Sequence, residues 1–334
     1  MKDRKKDHLK LCLEEDVSFE KKTTGFEKYE LNHAASPGIN FDDIDMSTQF
    51  LGNKLDFPIN ISGMVGGTER AKSINKNLSQ AAENLGISMG VGSQRIAIEN
   101  PNLADTFKVR NEAPSIFLIG NLGVGQLNDG YGVDEVIEAK EMIEADALAL
   151  HFNPAQELFQ EDGDVDFTNI IPKISEICEN VDFPIIAKEV GFGFSSETAR
   201  KFENAGIAAI DIQGAGGTNW IKIEKMRYKK RVPKSLEEWG IPTTQSLINL
   251  RDSVNIPLIS SGGIRNGMDI AKSIILGADI AGMALPLLEP ATISQYKVEE
   301  KLKNIIEELK MVMFLTGSRD IENLKTKECK SSLI

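Results

Sequence analysis

Short apolar runs recur along the chain from residue 57 onward, and polar or amphipathic stretches separate them. Apolar residues at helical spacing predict helices over 71–86, 133–145, 196–206 and 267–278. The apolar runs predict eight strands at 57–62, 86–91, 115–120, 146–151, 183–189, 208–213, 256–261 and 278–283. Near-continuous apolar strands that alternate with helices are typical of a parallel sheet covered on both faces. Eight such units predict a (β/α)8 TIM barrel, with an open, doubly wound sheet as the competing architecture.

The two ends of the chain do not follow this repeat. Residues 1–56 predict an N-terminal extension that packs across the barrel and delivers residues to its mouth, and the barrel itself is expected over 57–315. Residues 214–244 form a long connection with four glycines and the basic residues Lys229, Lys230 and Arg231. Because long connections in compact domains are often lids, we expect a mobile loop there. A final helix is predicted over 296–314, followed by a polar C-terminal tail, 316–334, that we expect to fray.

The overall charge and the cysteines limit the class of protein. A net charge of -12 over 334 residues argues against nucleic-acid binding. It does not exclude a small anionic ligand, since local basic residues decide that. Cys12, Cys178 and Cys329 are far apart and odd in number, which indicates a reducing compartment without disulfides. The basic N-terminus lacks the apolar region of a signal peptide and no apolar run reaches membrane-spanning length, so we expect a cytoplasmic protein without membrane contact.

The most unusual segment is HFNPAQELFQEDGD, residues 151–164, which follows the fourth predicted strand directly. Chemistry in a parallel barrel takes place at the carboxyl ends of the strands. Asn, Gln and Glu are rarely buried without partners, so core packing does not explain this cluster well. The segment predicts a functional rim rather than a solvated loop.

Glycine-rich segments follow several of the other strands. The seventh strand runs into Ser261-Gly262-Gly263-Ile264-Arg265, and small residues end the eighth strand. Such segments let backbone amides approach a phosphate, and barrels often bind phosphate after strands seven and eight. Further glycine groups occur at 61–68, 90–95 and 119–126. Together they predict a large flat cofactor that lies across the barrel mouth.

Basic residues near the mouth are further candidates. Lys188, near the end of the fifth strand, could hold negative charge on a flavin ring, form a Schiff base, or pair with Glu189. Arg4, Lys5 and His8 stand in the N-terminal RKKDH, which is either a diphosphate-binding element or a solvated basic terminus. Arg95 lies in the second glycine group.

These segments resemble one family, the type 2 isopentenyl diphosphate isomerases, which are FMN-dependent (β/α)8 enzymes. The resemblance runs from residue 4 to residue 324, and its most specific element is the HxNxxQExxQ…GD pattern that begins at His151. It includes RKKDH (4–8), GMVGGT (63–68), GVGSQR (90–95), GNLG (120–123), KEVGFGFS (188–195), GAGGTNW (214–220), SSGGIR (260–265) and TGSRDIENL (316–324).

The resemblance assigns expected roles to individual residues. Implied FMN contacts are Met64, Val65, Gly66, Ser93, Asn121, Lys188, Thr218, Gly262, Gly263, Arg265, Ala284 and Leu285. Implied contacts of the substrate are Arg4, Lys5, His8, Arg95, His151, Asn153, Gln156 and Ser195, with Gln160 as a further candidate. Gln156, Lys188 and His151 are the candidate catalytic residues, and Glu157 would ligate Mg²⁺ that bridges the diphosphate.

Two positions depart from the family pattern. Val65 stands where the family often has Thr, and Gln213 stands where a Ser commonly precedes the GxGGT loop. Both contacts with the flavin can be made by the backbone, so we expect changed affinity rather than loss of the cofactor.

The implied reaction converts isopentenyl diphosphate to dimethylallyl diphosphate by proton addition and removal. The family uses reduced FMN as the proton-transferring group, with NAD(P)H or another donor as reductant and no net redox change. The resemblance also implies a homo-oligomer, either a tetramer or an octamer. Two alternatives remain: an FMN barrel of the 2-hydroxy-acid oxidase kind, and a non-catalytic barrel that binds a phosphorylated metabolite.

Overall fold

Eight parallel strands close into a barrel in the computed structural model, which describes residues 2–228 and 232–331, with side chains from Arg4 onward. The strands are β4 Ile59–Ile61, β5 Ser88–Gly90, β6 Leu118–Gly123, β7 Ala147–His151, β8 Ile185–Lys188, β9 Ala209–Asp211, β10 Leu258–Ser261 and β11 Ile280–Met283. The last strand pairs with the first, with Ala281 opposite Ile59. This closure confirms the predicted barrel and rules out the open sheet. Lys229, Lys230 and Arg231 lie outside the described residues.

Helices cover the outside of the barrel and one of its ends. They are α1 Lys2–Glu14, α2 Glu69–Leu85, α3 Arg95–Glu99, α4 Val133–Met142, α5 Pro154–Phe159, α6 Ile170–Asn180, α7 Ser196–Asn204, α8 Trp220–Tyr228, α9 Thr243–Arg251, α10 Gly267–Ile275, α11 Leu285–Ile293, α12 Gln295–Leu315 and α13 Ile321–Lys325. Among the described helices, none is long and apolar enough to cross a membrane.

The third predicted strand is displaced toward the C-terminus. The apolar run was expected to form a strand over 115–120, but β6 begins at Leu118. Ser115 is held instead by Glu83, which accepts bonds from its amide (3.0 Å) and its hydroxyl (2.5 Å). The carbonyl of Ile116 accepts a bond of 3.0 Å from Arg110. These contacts fix the start of the run outside the barrel, and the strand continues to Gly123.

The amino end of the barrel is closed by apolar packing. The N-terminal extension contributes a hairpin of β2 Thr48–Phe50 and β3 Asn53–Leu55. Phe50 packs edge-on against Phe117 at 5.9 Å, and both belong to one buried cluster with inward residues of the strands. Because this end is filled, only the carboxyl end of the barrel is available for a ligand.

The C-terminal tail is ordered over most of its length, so the expectation that it frays is wrong for residues 321–331. Asp320 caps α13 by accepting a bond of 2.7 Å from the amide of Asn323, and the helix buries Ile321 and Leu324. Strand β12 Cys329–Ser331 then pairs antiparallel with β1 Tyr29–Leu31 of the N-terminal extension.

The connection over 214–244 is also more structured than expected, since it contains α8. Ile221 and Ile223 are buried in α8, and this two-residue spacing of apolar positions does not indicate a helix. Helix α8 contacts both α1 and α5. The 214–244 segment therefore places a helix beside the barrel mouth.

Candidate functional site

One large cavity opens at the carboxyl ends of the strands, beneath α1. Its wall includes all of the predicted site residues except Ser195, together with further residues such as Gln126, Gln213 and Trp220. The predicted residues that line it are Arg4, Lys5, His8, Met64, Val65, Gly66, Ser93, Arg95, Asn121, His151, Asn153, Gln156, Glu157, Gln160, Lys188, Thr218, Gly262, Gly263, Arg265, Ala284 and Leu285. The fold thus brings residues as far apart in the chain as Arg4 and Leu285 to one site.

Ser195 is the exception and needs a correction. Its side chain is exposed, and its hydroxyl caps α7 by accepting a bond of 3.3 Å from the amide of Thr198. Ser is a common N-cap residue, which gives Ser195 a structural role here. The structure does not bring it to the cavity.

The glycine loops form one side of the cavity by packing backbone against backbone. A Cβ atom added to Gly63 would overlap the carbonyl of Val91, and one added to Gly262 would overlap the backbone of Gly214. A Cβ atom on Gly217 would lie 2.5 Å from the amide nitrogen of Gly263. Gly262 also has φ +97°, a conformation that favours glycine. This side is a smooth wall of main chain, suited to a flat ring system.

Lys188 ends β8 next to that wall. It is buried, and its Nζ donates to the carbonyl of Glu189 at 2.8 Å. Burial lowers the pKa of the Lys188 ammonium, whereas the charge of Asp211 opposes this shift. An ammonium has three donors. When protonated, Lys188 presents positive charge at the cavity wall, where it can neutralise an anionic ring or donate to a carbonyl oxygen.

The far end of the glycine-loop wall has the features of a phosphate site. Ala284 and Leu285 line the cavity at the N-terminus of α11, where the helix dipole places partial positive charge. Arg265 follows the Gly262-Gly263 turn and also lines the cavity. A smooth wall, a buried lysine, and Arg265 with the partially positive N-terminus of α11 together match a ring, its polar edge and its phosphate. The residues present therefore fit FMN.

His151 faces the cavity from the end of β7. Its Nδ1 lies 2.9 Å from Oδ1 of Asn121, and Nδ2 of Asn121 donates to the carbonyl of Val91 at 3.1 Å. Since the Asn121 oxygen accepts, Nδ1 of His151 carries the proton and Nε2 is the acceptor. Burial, and secondarily Lys188, lowers the pKa of His151 to about 3. His151 is neutral at physiological pH.

Glu157 is the centre of a buried polar network on α5. Its Oε1 accepts a bond of 2.6 Å from Asn153, and its Oε2 accepts bonds from Gln160 (2.7 Å) and from the amide of Asp164 (2.9 Å). Burial raises the pKa of Glu157, and these donors oppose the shift. Among the described residues, no group of three or more His, Cys, Asp and Glu forms a protein-only metal site. Mg²⁺ commonly uses one or two carboxylates plus substrate phosphate and water, and Glu157 fits that arrangement.

Helix α1 lies over the cavity and contacts α8 through charged residues. Nε2 of His8 is 2.7 Å from Oε1 of Glu224, and that oxygen also accepts a bond of 3.2 Å from Gln156. Arg227 donates to Oε2 of Glu224 at 2.8 Å. Burial lowers the pKa of His8, so the imidazole donates to Glu224 in its neutral form. The network ties α1, α5 and α8 together.

Lys5, on α1, has an ammonium group whose pKa is lowered to about 7. Its Nζ donates to the carbonyl of Ser93 at 2.7 Å and lies 5.0 Å from the centre of the Phe107 ring. Burial and the neighbouring Arg4 lower the pKa of Lys5 to about 7, while Glu99 opposes this shift. Lys5 therefore changes charge near neutral pH, and its ammonium form is present below that range.

Arg95 is surrounded by carboxylates. It donates to Glu99 and Asp164 at 2.8 Å each and lies 3.7 Å from Asp129. Asp164 also accepts a bond of 3.0 Å from Gln126. A diphosphate must therefore compete with protein carboxylates for this guanidinium.

Glu224 is the main site residue that the sequence did not identify. Its side chain is fully buried, and it joins His8, Gln156 and Arg227. It lies in α8, which lacks helical periodicity, so no helix was predicted at this position. The signal in the sequence that could have identified Glu224 was an acidic residue close to Ile221 and Ile223, shortly after the glycine-rich segment 214–217.

The charge of the cavity differs in sign from that of the chain. Lys and Arg contribute five side chains to the described lining, namely Arg4, Lys5, Arg95, Lys188 and Arg265, and Glu157 is its carboxylate. The whole chain has a net charge of -12. Local positive charge in an acidic protein indicates a site for an anionic ligand.

Comparison with known proteins identifies close relatives over nearly the full length. The chain is 46% identical to an isopentenyl-diphosphate delta-isomerase of Nostoc sp. strain PCC 7120, covering 96% of this chain and 93% of that protein. It is 45% identical to the protein of that name from Pyrococcus furiosus, covering 96% and 84%. The Rickettsia bellii protein of that name is 44% identical, covering 99% and 98%. Residues 137–331 also match the FMN-dependent dehydrogenase family.

Solved structures with the same fold are more distant in sequence. A lactate oxidase of Pediococcus acidilactici superimposes with a TM-score of 0.68 at 18% identity, covering 94% of this chain and 88% of that one. A mandelate oxidase variant that carries an FMN adduct gives a TM-score of 0.69 at 15% identity, covering 92% and 90%. At this identity the similarity shows the shared barrel and no more.

Proposed function

Because the chain belongs to the FMN-dependent, type 2 isopentenyl-diphosphate delta-isomerase family, we propose that it interconverts isopentenyl diphosphate and dimethylallyl diphosphate. One observation carries the proposal. Basic residues of α1 and the Glu157 network meet the glycine-loop wall and Lys188 in a single cavity. A diphosphate and a flavin can therefore bind there side by side.

The diphosphate binds to the α1 side of the cavity. Arg4 and Arg95 supply permanent charge, and Lys5 adds an ammonium whose proton is retained when an anion binds. Glu157 would hold Mg²⁺ on this side of the cavity, since one carboxylate plus phosphate oxygens is a usual set of ligands for this ion. Asn153 and Gln160 hold the carboxylate in place by donating to its two oxygens.

The alkene end of the substrate points toward Gln156. The side-chain nitrogen of Gln156 donates to Glu224, and this bond fixes the Gln156 side chain beside the cavity. An alkene is a weak base, so its proton donor must be held close and water kept away. Helix α1 covers the mouth and excludes water. Neutral His151 offers an unprotonated Nε2 near this position and does not add positive charge beside a developing carbocation.

Reduced FMN, when bound, supplies proton donation and acceptance next to the alkene without net oxidation or reduction. Met64, Val65, Gly66, Ser93, Asn121 and Thr218 hold its ring, and Gly262, Gly263, Arg265, Ala284 and Leu285 hold its phosphate. Lys188 stabilises negative charge on the reduced ring, which is the usual task of protein groups around a cofactor. NAD(P)H serves as the reductant that prepares this form. The cytoplasmic location and the homo-oligomeric state stay predictions.

The test is an anaerobic assay of the purified protein with FMN, Mg²⁺, isopentenyl diphosphate and either dithionite or NADPH. Formation of dimethylallyl diphosphate is followed by NMR, and an aerobic reaction with oxidised flavin is the control. We expect product only under reducing conditions. Bound flavin without product would move the proposal to another FMN-barrel reaction, and absence of flavin binding would overturn it.

A further inference from the structure

A buried carboxylate lies beneath Lys188, outside the cavity wall. Asp211 ends β9 and is the register partner of Lys188 on the adjacent strand β8. Partners in register on neighbouring strands project to the same face of a sheet. Both side chains are buried, Asp211 with 3% and Lys188 with 7% of its surface exposed. Two opposite charges are thus held side by side in the interior of the barrel.

Asp211 accepts hydrogen bonds from the neighbouring strand β10 and from the segment that follows β9. Burial raises the pKa of the Asp211 carboxyl, and Lys188, Ser261 and Gln213 oppose this shift. Ser261 of β10 donates to its Oδ1, and Nε2 of Gln213 lies 3.3 Å and 3.2 Å from its two oxygens. The same amide nitrogen lies 3.2 Å from Oγ of Ser62, so Gln213 connects the carboxylate to the first glycine loop. A buried carboxylate needs such donors to remain charged.

Gln213, which contacts the Asp211 carboxylate, has a strained backbone. Its φ is +41°, a left-handed conformation that costs energy for a residue other than glycine. Its amide is fixed by a bond of 2.9 Å to Oγ of Ser261, the same hydroxyl that donates to Asp211. The strain places the Gln213 side chain over the Asp211 carboxylate.

The described contacts include no hydrogen bond between Lys188 and Asp211, and Nζ of Lys188 donates to the carbonyl of Glu189. The carboxylate acts instead through the interior of the barrel, where charges are weakly screened. A buried lysine tends to lose its proton, and a nearby negative charge opposes that loss. Lys188 is the residue of this pair that reaches the cavity, whereas Asp211 does not line it.

We propose that Asp211 is a positioning residue that keeps Lys188 charged beside the cofactor, and that Gln213 clamps Asp211 in its ionised form. This inference rests on the proposed function, since it requires a flavin next to Lys188. Gln213 supplies the amide donor that lies against both oxygens of this carboxylate. Asp211 touches neither the substrate nor the flavin and acts only through Lys188.

The sign of the change in reduction potential tests the proposal. In Asp211→Asn, we expect Lys188 to lose its proton, which removes a positive charge beside the flavin. Relative to the unmodified protein, the affinity for reduced FMN then falls more than the affinity for oxidised FMN. We expect a shift of about tenfold in the ratio of the two affinities, which equals about 30 mV toward negative potential for a two-electron couple. If Lys188 keeps its charge without Asp211, removal of the carboxylate leaves an excess positive charge and the potential rises.

The measurement uses the FMN-loaded protein and a dye-linked anaerobic titration, with flavin fluorescence for the affinity of oxidised FMN. Gln213→Ser is the second variant, and we expect a smaller shift in the same direction. Glu299→Gln is the matched control: it removes another buried carboxylate, bonded to Asn84 on the outside of the barrel, and should leave the potential unchanged. Thermal unfolding shows whether each variant is folded.

The outcomes separate this inference from the proposed function. A negative shift in Asp211→Asn or, if that variant does not fold, in Gln213→Ser supports the proposal. A positive shift or no shift, with FMN still bound, overturns it and leaves the proposed function intact. Failure of the unmodified protein to bind FMN overturns both.

Discussion

The two sides of the cavity are built on different physical principles. The glycine-loop side, formed by residues 63–66, 92–93, 214–217 and 262–263, is main chain packed so closely that side chains are excluded. The charged side, formed by α1, α5, α8 and Arg95, consists of ionic and amide side chains that bond to one another. The glycine-loop side has its shape before any ligand binds. On the charged side, hydrogen bonds and ion pairs between protein side chains must be replaced by contacts with the ligand.

This difference determines how each side responds to mutation. A new side chain on the glycine-loop side cannot be partly accommodated. The backbone cannot move away from an added Cβ atom without disturbing the strands on both sides. An ionic network redistributes its contacts, so loss of one member is partly compensated by the others. We therefore expect large, all-or-none effects on the glycine-loop side and graded, pH- or salt-dependent effects on the charged side.

The largest effect is expected for Gly262→Ala. The new Cβ atom would overlap the backbone of Gly214, and φ +97° is strained for alanine. A strain of ~3 kcal/mol corresponds to a loss of FMN affinity on the order of 100-fold. Flavin fluorescence measures the affinity. Gly132→Ala is the control, because a Cβ atom there meets no atom within 4 Å. Unchanged FMN binding in Gly262→Ala would show that the wall is more adaptable than its packing indicates.

A smaller effect is expected for Glu157→Gln on the charged side. An amide keeps the shape but loses the charge that attracts Mg²⁺, so the apparent affinity for Mg²⁺ should fall by roughly 10- to 100-fold. The measurement is the dependence of kcat/KM on Mg²⁺ concentration, with FMN affinity expected to stay the same. Glu161→Gln, at an exposed position four residues later, is the matched control. Loss of flavin from Glu157→Gln would contradict the placement of Glu157 on the substrate side.

The pH dependence of substrate binding follows from Lys5. Burial and Arg4 lower its pKa to about 7, so the ammonium that attracts the diphosphate is present below this pH and lost above it. If only the protonated form binds, KM rises about tenfold between pH 6 and pH 8. Lys5→Arg keeps its charge over this range and should remove that rise. An unchanged pH profile in Lys5→Arg would assign the titration to another group.

The smallest effect is expected for Asp7→Asn, at the outer edge of the charged side. Asp7 is 56% exposed and lies 3.6 Å from Arg227. Exposed ion pairs contribute at most about 1 kcal/mol, and salt screens them. KM for the diphosphate should change by less than about fivefold at low salt and even less at high salt. A larger change that persists in high salt would mean that α1 depends on this one contact.

The sequence predicted the glycine-loop side better than the charged side, for a physical reason. Buried strands and glycine turns are local: their signal is in consecutive residues, such as 57–62 or 261–265, and the barrel follows from repeating it. The charged network is formed by residues far apart in the chain. Glu224 was missed because α8 lacks helical periodicity, and its partners His8 and Gln156 are 216 and 68 residues away.

Other differences between the predicted and the observed structure arise from contacts between distant residues, which the local sequence does not reveal. The shift of β6 depends on the bonds of Ser115 to Glu83, a residue on α2. The order of the tail depends on pairing of β12 with β1, about 300 residues earlier. Ser195 was placed by motif alone, and its role as a helix cap became visible only in the structure.

The pairing of the chain's distant segments has a consequence for synthesis on the ribosome. Strand β4 can complete the barrel only after β11 has been made, and β1 can find its partner only after β12 follows. Contacts of such long sequence separation form late and slow folding. A nascent chain that ends before β11 leaves one edge of β4 unpaired, and such an edge can pair with other chains. The complete cavity, whose lining includes Ala284 and Leu285 after β11, therefore exists only once all eight barrel strands have been made.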